Sequence, residues 1–159
     1  MPDTDTQYLD VLEQERVRVR DFLRLLEREQ AALVAGDHDH LMAFTEQKAA
    51  QILELRRISD SRSKLLATHG LRADRDGMSA WIDQTADPTV RRIWDDIKGL
   101  AAQVRAANEI NGALVAARLK HNQAAITALQ AAAKTSGVYG PDGAARLTAS
   151  NSTRQLASA

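Results

Sequence analysis

Residues 8–33 read YLDVLEQERVRVRDFLRLLEREQAAL, and this stretch decides the fold. One apolar row recurs every seven residues and consists of Leu12, Val19, Leu26 and Leu33. A second row, offset by three or four positions, consists of Tyr8, Glu15, Phe22 and Glu29. Together the rows form the a/d seam of a coiled-coil helix, which the two glutamates interrupt. The pattern predicts a first helix over residues 5–35.

A second helix is predicted over residues 38–68. Gly36 is a natural stop for the first helix, and Asp37 is a natural N-cap for the next. Lys48 and Arg62 fall in the apolar stripe of this helix, where their stems can pack while their charges reach solvent or a carboxylate. The other members of the stripe are Leu41, Phe44, Ile52, Leu55, Leu65 and Leu66. Because the turn is short, we expect the two helices to be antiparallel neighbours.

The remainder predicts a short helix, a long helix and a tail. Residues 78–85 can form a short helix whose apolar side is Met78, Trp81 and Ile82. Asp87 and Pro88 mark the start of a helix over 88–134, which would be about 70 Å long at 1.5 Å per residue. Residues 136–159, rich in Ser, Thr and Ala, predict a disordered C-terminal tail. The fold class is therefore all-α: an elongated antiparallel bundle of three long helices and a short connecting helix, with one domain over 1–135.

The composition of the chain argues against several classes of function. The chain has 21 basic and 21 acidic residues, so it has no net charge that would attract nucleic acid. It has no cysteine, which excludes disulfides, thiolate zinc sites and a thiol nucleophile. No apolar stretch approaches the roughly 20 residues of a membrane span, and no secretory leader is evident. We expect a cytoplasmic protein without stable membrane insertion.

Two clusters have both a functional and a structural interpretation. The run Asp37–His40 could bind a metal in an enzyme, but adjacent helical residues point in different directions, which favours a polar turn. Arg16, Arg20, Arg24 and Arg28 could bind an anionic partner, but interspersed acids favour a solvated face. No nucleophile, phosphate loop or carboxylate pair is recognisable. The sequence predicts no enzyme, no metal and no cofactor.

The later half of the long helix is the main candidate for binding a partner. The first two helices would each be about 46 Å long, so about 15 residues of the third should extend beyond them. An uncovered amphipathic stretch binds another helix or self-associates, unless the helix bends back near Gly112. Its apolar row is Leu114, Val115, Leu119, Ile126 and Leu129. Asn108 and Asn111 lie in the seam rows, and the pattern leaves open whether they bind a partner or belong to the core.

Two motifs near the end of the chain resemble a known family. They are Asn108-Glu109-Ile110-Asn111-Gly112 and Val138-Tyr139-Gly140-Pro141-Asp142-Gly143. The front half agrees through Ala35-Gly36-Asp37, then Leu41 and Lys48, then Leu55 and Arg62. With this order and spacing, the sequence resembles the FlgN family of flagellar type III export chaperones over nearly its whole length.

The resemblance implies a cytoplasmic chaperone that holds the hook–filament junction proteins FlgK and FlgL by their C-terminal helical regions. It further implies delivery to the cytoplasmic domain of the export-gate protein FlhA. The client-binding residues would be Asn108, Asn111, Leu114, Val115, Arg118, Leu119, Asn122, Ile126 and Leu129. The motif with Tyr139, Gly140 and Gly143 would dock at the gate. The alternative hypothesis is a structural or adaptor bundle that self-associates.

Overall fold

The computed structural model describes residues 4–138 of the chain, and side chains over 6–135. Its helices are α1 (Thr4–Ala35), α2 (Leu41–Thr68), α3 (Arg75–Thr85) and α4 (Pro88–Val138). No strand occurs within that range. The prediction of an all-α fold with three long helices and one short helix is confirmed. Helix α4 continues four residues past its predicted end at residue 134, so residues 136–138 of the predicted tail are helical. The rest of that predicted tail lies outside the described residues.

The chain divides into two compact units, Met1–Ala116 and Ala117–Ala159. The first holds α1, α2, α3 and the first part of α4, and within it the helices pack around two hydrophobic core clusters. The described part of the second unit is the remainder of α4. The prediction of a single domain over 1–135 stays a prediction.

The seam of α1 packs as the heptad pattern predicts. All eight positions are buried: Tyr8, Leu12, Glu15, Val19, Phe22, Leu26, Glu29 and Leu33. Burying a leucine or phenylalanine side chain stabilises the folded chain by about 1.5–3 kcal/mol, so this row is a main source of bundle stability.

The two glutamates of the seam are paired with basic residues of α2. Arg62 Nη1 lies 3.1 Å from Glu15 Oε1, and Lys48 Nζ lies 2.9 Å from Glu29 Oε1. As the position on α1 rises by fourteen residues, the partner on α2 falls by fourteen, so the helices are antiparallel as predicted. We call these contacts the two seam ion pairs.

Helix α3 seals one end of the core in the first unit. Met78, Trp81 and Ile82 are buried there, which confirms the predicted apolar side. Tyr8 stacks on Trp81 with ring centroids 3.6 Å apart, and its hydroxyl donates to Met78 Sδ at 3.8 Å. This burial raises the pKa of Tyr8. Helix α4 contributes Val90, Ile93 and Ile97 to the same cluster.

The start of α2 differs from the prediction. The helix begins at Leu41 rather than at residue 38, and Asp37 does not cap it. Instead, the Asp37 carboxylate lies 2.7 Å from Nδ1 of His40, the residue at the N-cap position. This side-chain contact forms across a turn, so residues 38–40 stay outside the regular helix.

The start of α3 also differs, because it begins at Arg75 rather than at residue 78. The Asp74 carboxylate accepts a hydrogen bond from the Gly77 amide at 2.9 Å, so Asp74 is the N-cap. Gly77 lies so close to the Arg72 carbonyl that a β-carbon there would collide with it. The glycine therefore belongs to the first turn of the helix and does not interrupt it.

Candidate functional site

The structure gives different environments to Asn108 and Asn111, for which the sequence left open whether they bind a partner or belong to the core. Asn108 is exposed, whereas Asn111 is buried with 3% of its surface accessible. The Asn111 Nδ2 group donates to the Leu26 carbonyl at 2.9 Å and to Glu29 Oε2 at 2.8 Å. Asn111 therefore faces the core of the first unit, and Asn108 faces solvent.

Asn111 completes a network that joins three helices. Lys48 Nζ of α2 donates to both oxygens of Glu29, at 2.9 and 3.1 Å, while Asn111 of α4 donates to one of them. A buried carboxylate needs such donors, since burial without them costs several kcal/mol. The Glu29–Lys48–Asn111 network thus fixes the position of α4 against α1 and α2, although Asn111 Oδ1 is buried without a hydrogen-bond partner among the described residues.

The remaining predicted client-binding residues of the first unit are partly accessible. Leu114 is half-buried, and Val115 exposes 42% of its surface. Ile110, which the sequence prediction did not include, exposes 46%. These three aliphatic residues of α4 therefore have accessible surface, as Asn108 does.

The second unit carries an exposed apolar row. Every residue from Leu119 to Thr135 is exposed, and Arg118 is half-buried. Leu119, Ile126 and Leu129 expose 65%, 49% and 71% of their surfaces, and the exposed Asn122 lies among them. Their spacing of three, four and three residues places all four on one side of a helix. We call these four residues the α4 apolar face.

The predicted gate-docking motif lies outside the described residues. This applies to Tyr139, Gly140 and Gly143. Its role stays a prediction from the family resemblance.

The acidic and histidine residues between α1 and α2 form an exposed pair. The hydrogen bond from His40 is the main cause that lowers the pKa of Asp37. Across the part of the chain with described placement, no three His, Cys, Asp or Glu side chains gather into a metal site. The geometry of this turn is that of a local side-chain contact.

The arginine ridge of α1 is largely engaged within the chain. Arg16 contacts Glu13 at 2.5 Å and Asp96 of α4 at 3.2 Å. Arg24 lies 3.7 Å from Asp21, and the Arg28 guanidinium lies 5.6 Å from the centroid of the Phe44 ring. Arg16 thereby links α1 to α4, whereas the Arg24 side chain stays 69% exposed, so acidic residues compensate the ridge in part.

The sequence profile of the FlgN protein matches residues 1–146. The chain belongs to the FlgN family. Its fold is similar to that of a Pseudomonas aeruginosa protein assigned as the flagella synthesis protein FlgN, solved at 1.48 Å resolution. The TM-score is 0.63 at 23% sequence identity, and the alignment covers 72% of this chain and 90% of the other. No curated protein sequence matches the chain.

Family membership sets the general role. FlgN proteins are chaperone-type proteins of flagellar synthesis and are not known as enzymes, so this chain has a general role in flagellar synthesis and flagellar proteins as its partners. Within the described part of the FlgN-family chain, no helix is both long enough and apolar enough to cross a membrane.

The FlgN-family chain also has a groove that the sequence analysis missed. Its volume is about 390 Å³, and its lining residues are Glu15, Val19, Phe22, Ile52, Leu55, Arg56, Ser59, Ala101, Val104 and Arg105. We call it the α2–α4 groove. The sequence placed Ile52 and Leu55 in the apolar stripe of α2, but heptad spacing alone does not distinguish a core position from a groove wall. In the structure Ile52 is 39% exposed.

Proposed function

We propose that the chain is a cytoplasmic export chaperone that binds and shields the C-terminal helical regions of FlgK and FlgL and delivers these clients to FlhA. The observation that carries this proposal is the α4 apolar face, on which Leu119, Ile126 and Leu129 are exposed together on one side of the helix. Family membership supports a flagellar client.

The energetics of this face suit a reversible helical partner. Covering apolar surface stabilises a complex by roughly 25 cal/mol per Å², so three large aliphatic side chains provide a useful driving force. The neighbouring positions of α4 are mainly alanine, glutamine and asparagine, which add little apolar area. An export chaperone must release its client, and a face of this size favours moderate affinity over a permanent complex.

The residues of the first unit take different parts in this proposal. Asn108, Leu114 and Val115 have accessible surface and would contact the client with it. The buried Asn111 would act as a positioning residue, because its donors are already committed to Leu26 and Glu29. Arg118, half-buried at the start of the second unit, would contact the client with its accessible part.

Charge placed on the α4 apolar face tests client binding. The variant L119E/I126E should bind a purified FlgK C-terminal region about tenfold more weakly than the wild-type chain, which corresponds to about 1.4 kcal/mol. The matched control A124E/A128E adds the same charge on another side of the same exposed helix and should bind within about twofold of wild type. Isothermal titration calorimetry measures both constants, and equal affinity for L119E/I126E and wild type would reject the proposed face.

Gate delivery has a separate test. Tyr139→Ala should leave FlgK binding unchanged and weaken the complex with the FlhA cytoplasmic domain by about tenfold, because an aromatic anchor commonly dominates such contacts. Unchanged affinity for FlhA would remove Tyr139 from the docking motif.

The same exposed face also favours the alternative of self-association. In that case, sedimentation of the purified chain would show a homodimer at micromolar concentration without a client, and L119E/I126E would convert it to monomer. A monomeric wild-type chain that binds FlgK would favour the chaperone proposal over the alternative.

A further inference from the structure

The α2–α4 groove is an apolar channel built within the first unit. Buried Val19 and Phe22 of α1 form its floor. Partly exposed Ile52 and Leu55 of α2 form one wall, and Val104 of α4 forms the other. The groove is therefore lined by residues of α1, α2 and α4.

The rim of this groove is basic. Arg56 of α2 and Arg105 of α4 line it from opposite sides, and both are exposed. Arg105 also lines a neighbouring cavity of about 450 Å³ that includes Arg75 and Trp94. The channel and cavity together thus present several guanidinium groups beside apolar surface.

These arginines have no acidic partner in the part of the chain that the structure describes. Within it, Arg56, Arg75 and Arg105 form no ion pair. Of the acidic residues that line the groove and its neighbouring cavity, Asp74 pairs with Arg72, and Glu15 Oε1 lies 3.1 Å from Arg62 Nη1. The other oxygen of Glu15 is buried and has no hydrogen-bond partner among the described residues. Asp60 and Glu109, one helical turn from Arg56 and Arg105, line neither cavity. Four arginines and two acidic residues thus line the groove and its neighbouring cavity, so positive charge is in excess there.

The dimensions fit a helix of moderate length. On α2, the groove is lined from Ile52 to Ser59 and the neighbouring cavity from Arg62 to Leu66, and the two together cover about 21 Å of helix at 1.5 Å per residue. That length is about four helical turns. Helices recognise such grooves through apolar side chains at spacings of three, four and seven residues.

We propose that the α2–α4 groove binds an acidic amphipathic helix of a partner protein, with its apolar side chains on the α1 floor and its carboxylates on Arg56 and Arg105. This site is distinct from the proposed client face, since it uses none of the predicted client-binding residues. It gives the chaperone a second helical partner that could be held independently of the client.

The test uses the full chain and a fluorescein-labelled synthetic helix of about 18 residues, with Leu on one face and Glu on both flanks. Fluorescence anisotropy should show saturable binding that weakens as NaCl is raised, because salt screens the charge contacts. R56E/R105E should raise the Kd at least about tenfold. The control R57E/R92E makes the same charge change at exposed arginines outside the groove and should leave the Kd within about twofold of wild type.

Further measurements test whether an acidic helix, and not another ligand, occupies the α2–α4 groove. A peptide with Lys in place of Glu should bind at least about tenfold more weakly than the acidic peptide, and L119E/I126E should bind the acidic peptide as wild type does. The proposal is overturned if wild type does not bind the peptide, if both peptides bind equally, or if R56E/R105E binds normally. It is also overturned if L119E/I126E abolishes peptide binding, or if the peptide binds only after residues 139–159 are removed. A homodimer of the chain that R56E/R105E converts to monomer would overturn it as well, because a second copy would then occupy the groove.

Discussion

Glu29 of α1 and Lys48 of α2 form an ion pair inside the bundle, with Lys48 Nζ 2.9 Å from Glu29 Oε1, and Asn111 of α4 donates to the other carboxylate oxygen. The carboxylate therefore receives donors from two other helices at a position where the heptad pattern otherwise requires an apolar residue. Loss of either donor, Lys48 or Asn111, should therefore destabilise the bundle.

Replacing Asn111 with alanine should destabilise the chain by about 1–3 kcal/mol, because it removes donors from Glu29 and from the Leu26 carbonyl while both stay buried. Urea denaturation followed by circular dichroism measures this change. Asn108→Ala, three residues away and exposed, is the control and should alter stability by less than about 0.5 kcal/mol. Equal effects of the two substitutions would contradict the network.

Replacing Lys48 with methionine should destabilise the chain by about 1–3 kcal/mol, less than for a fully buried pair because the Lys48 side chain is 25% exposed. The double variant E29M/K48M should recover much of this loss, since it removes the buried carboxylate as well. Chemical denaturation of the single and double variants gives the coupling. Additive losses would show that the pair is not coupled.

Glu15 gives a pH-dependent prediction. Burial raises its pKa above the ordinary value of 4.5, and Arg62 opposes part of this effect. Between the ordinary and raised values, the folded chain binds a proton that the unfolded chain has lost, so this residue favours folding at low pH and that contribution declines as pH rises through the window. Denaturation curves should therefore show wild type losing stability relative to Glu15→Gln as pH increases from about 4.5. Parallel stability profiles would contradict the raised pKa.

Gly77 and Gly99 should respond oppositely to alanine. At Gly77 the added methyl would collide with the Arg72 carbonyl, which should destabilise the chain by about 1–3 kcal/mol. At Gly99, inside the first half of α4, nothing lies within 4 Å of the added atom, so alanine should stabilise the chain by about 0.5–1 kcal/mol. Thermal melts of the two variants provide the comparison, and a stabilised G77A would contradict the packing of α3.

Much of the bundle could be predicted because α1 has one unambiguous seam. Each of its heptad positions is buried, and the lysine and arginine in the stripe of α2 do find carboxylates. The assignment of Asn108 and Asn111 could not be made, because three apolar rows overlap in α4 and leave its rotation about its own axis undefined. The structure settles that rotation by placing Asn111 on Glu29.

Helix starts and the groove were harder to predict for a physical reason. Asp37 and Asp74 are both good capping residues by type, yet one contacts His40 and the other accepts the Gly77 amide. Which contact forms depends on the local turn, and sequence spacing does not encode it. The α2–α4 groove depends on the distance between helices α2 and α4, and the periodicity of apolar residues in the sequence does not determine that distance.

The equal fourteen-residue spacing of the two seam ion pairs has a consequence for assembly of the α1–α2 hairpin. If α2 shifted by one heptad in one direction along α1, Glu15 would face Leu55 and Glu29 would face Leu41. If it shifted by one heptad in the other direction, Glu15 would face His69 and Glu29 would face Leu55. Either misaligned hairpin would bury a carboxylate against leucine, at a cost of several kcal/mol. The native alignment of α1 and α2 is therefore favoured in two ways: it forms the two seam ion pairs, and the hairpins shifted by one heptad bury an unpaired carboxylate.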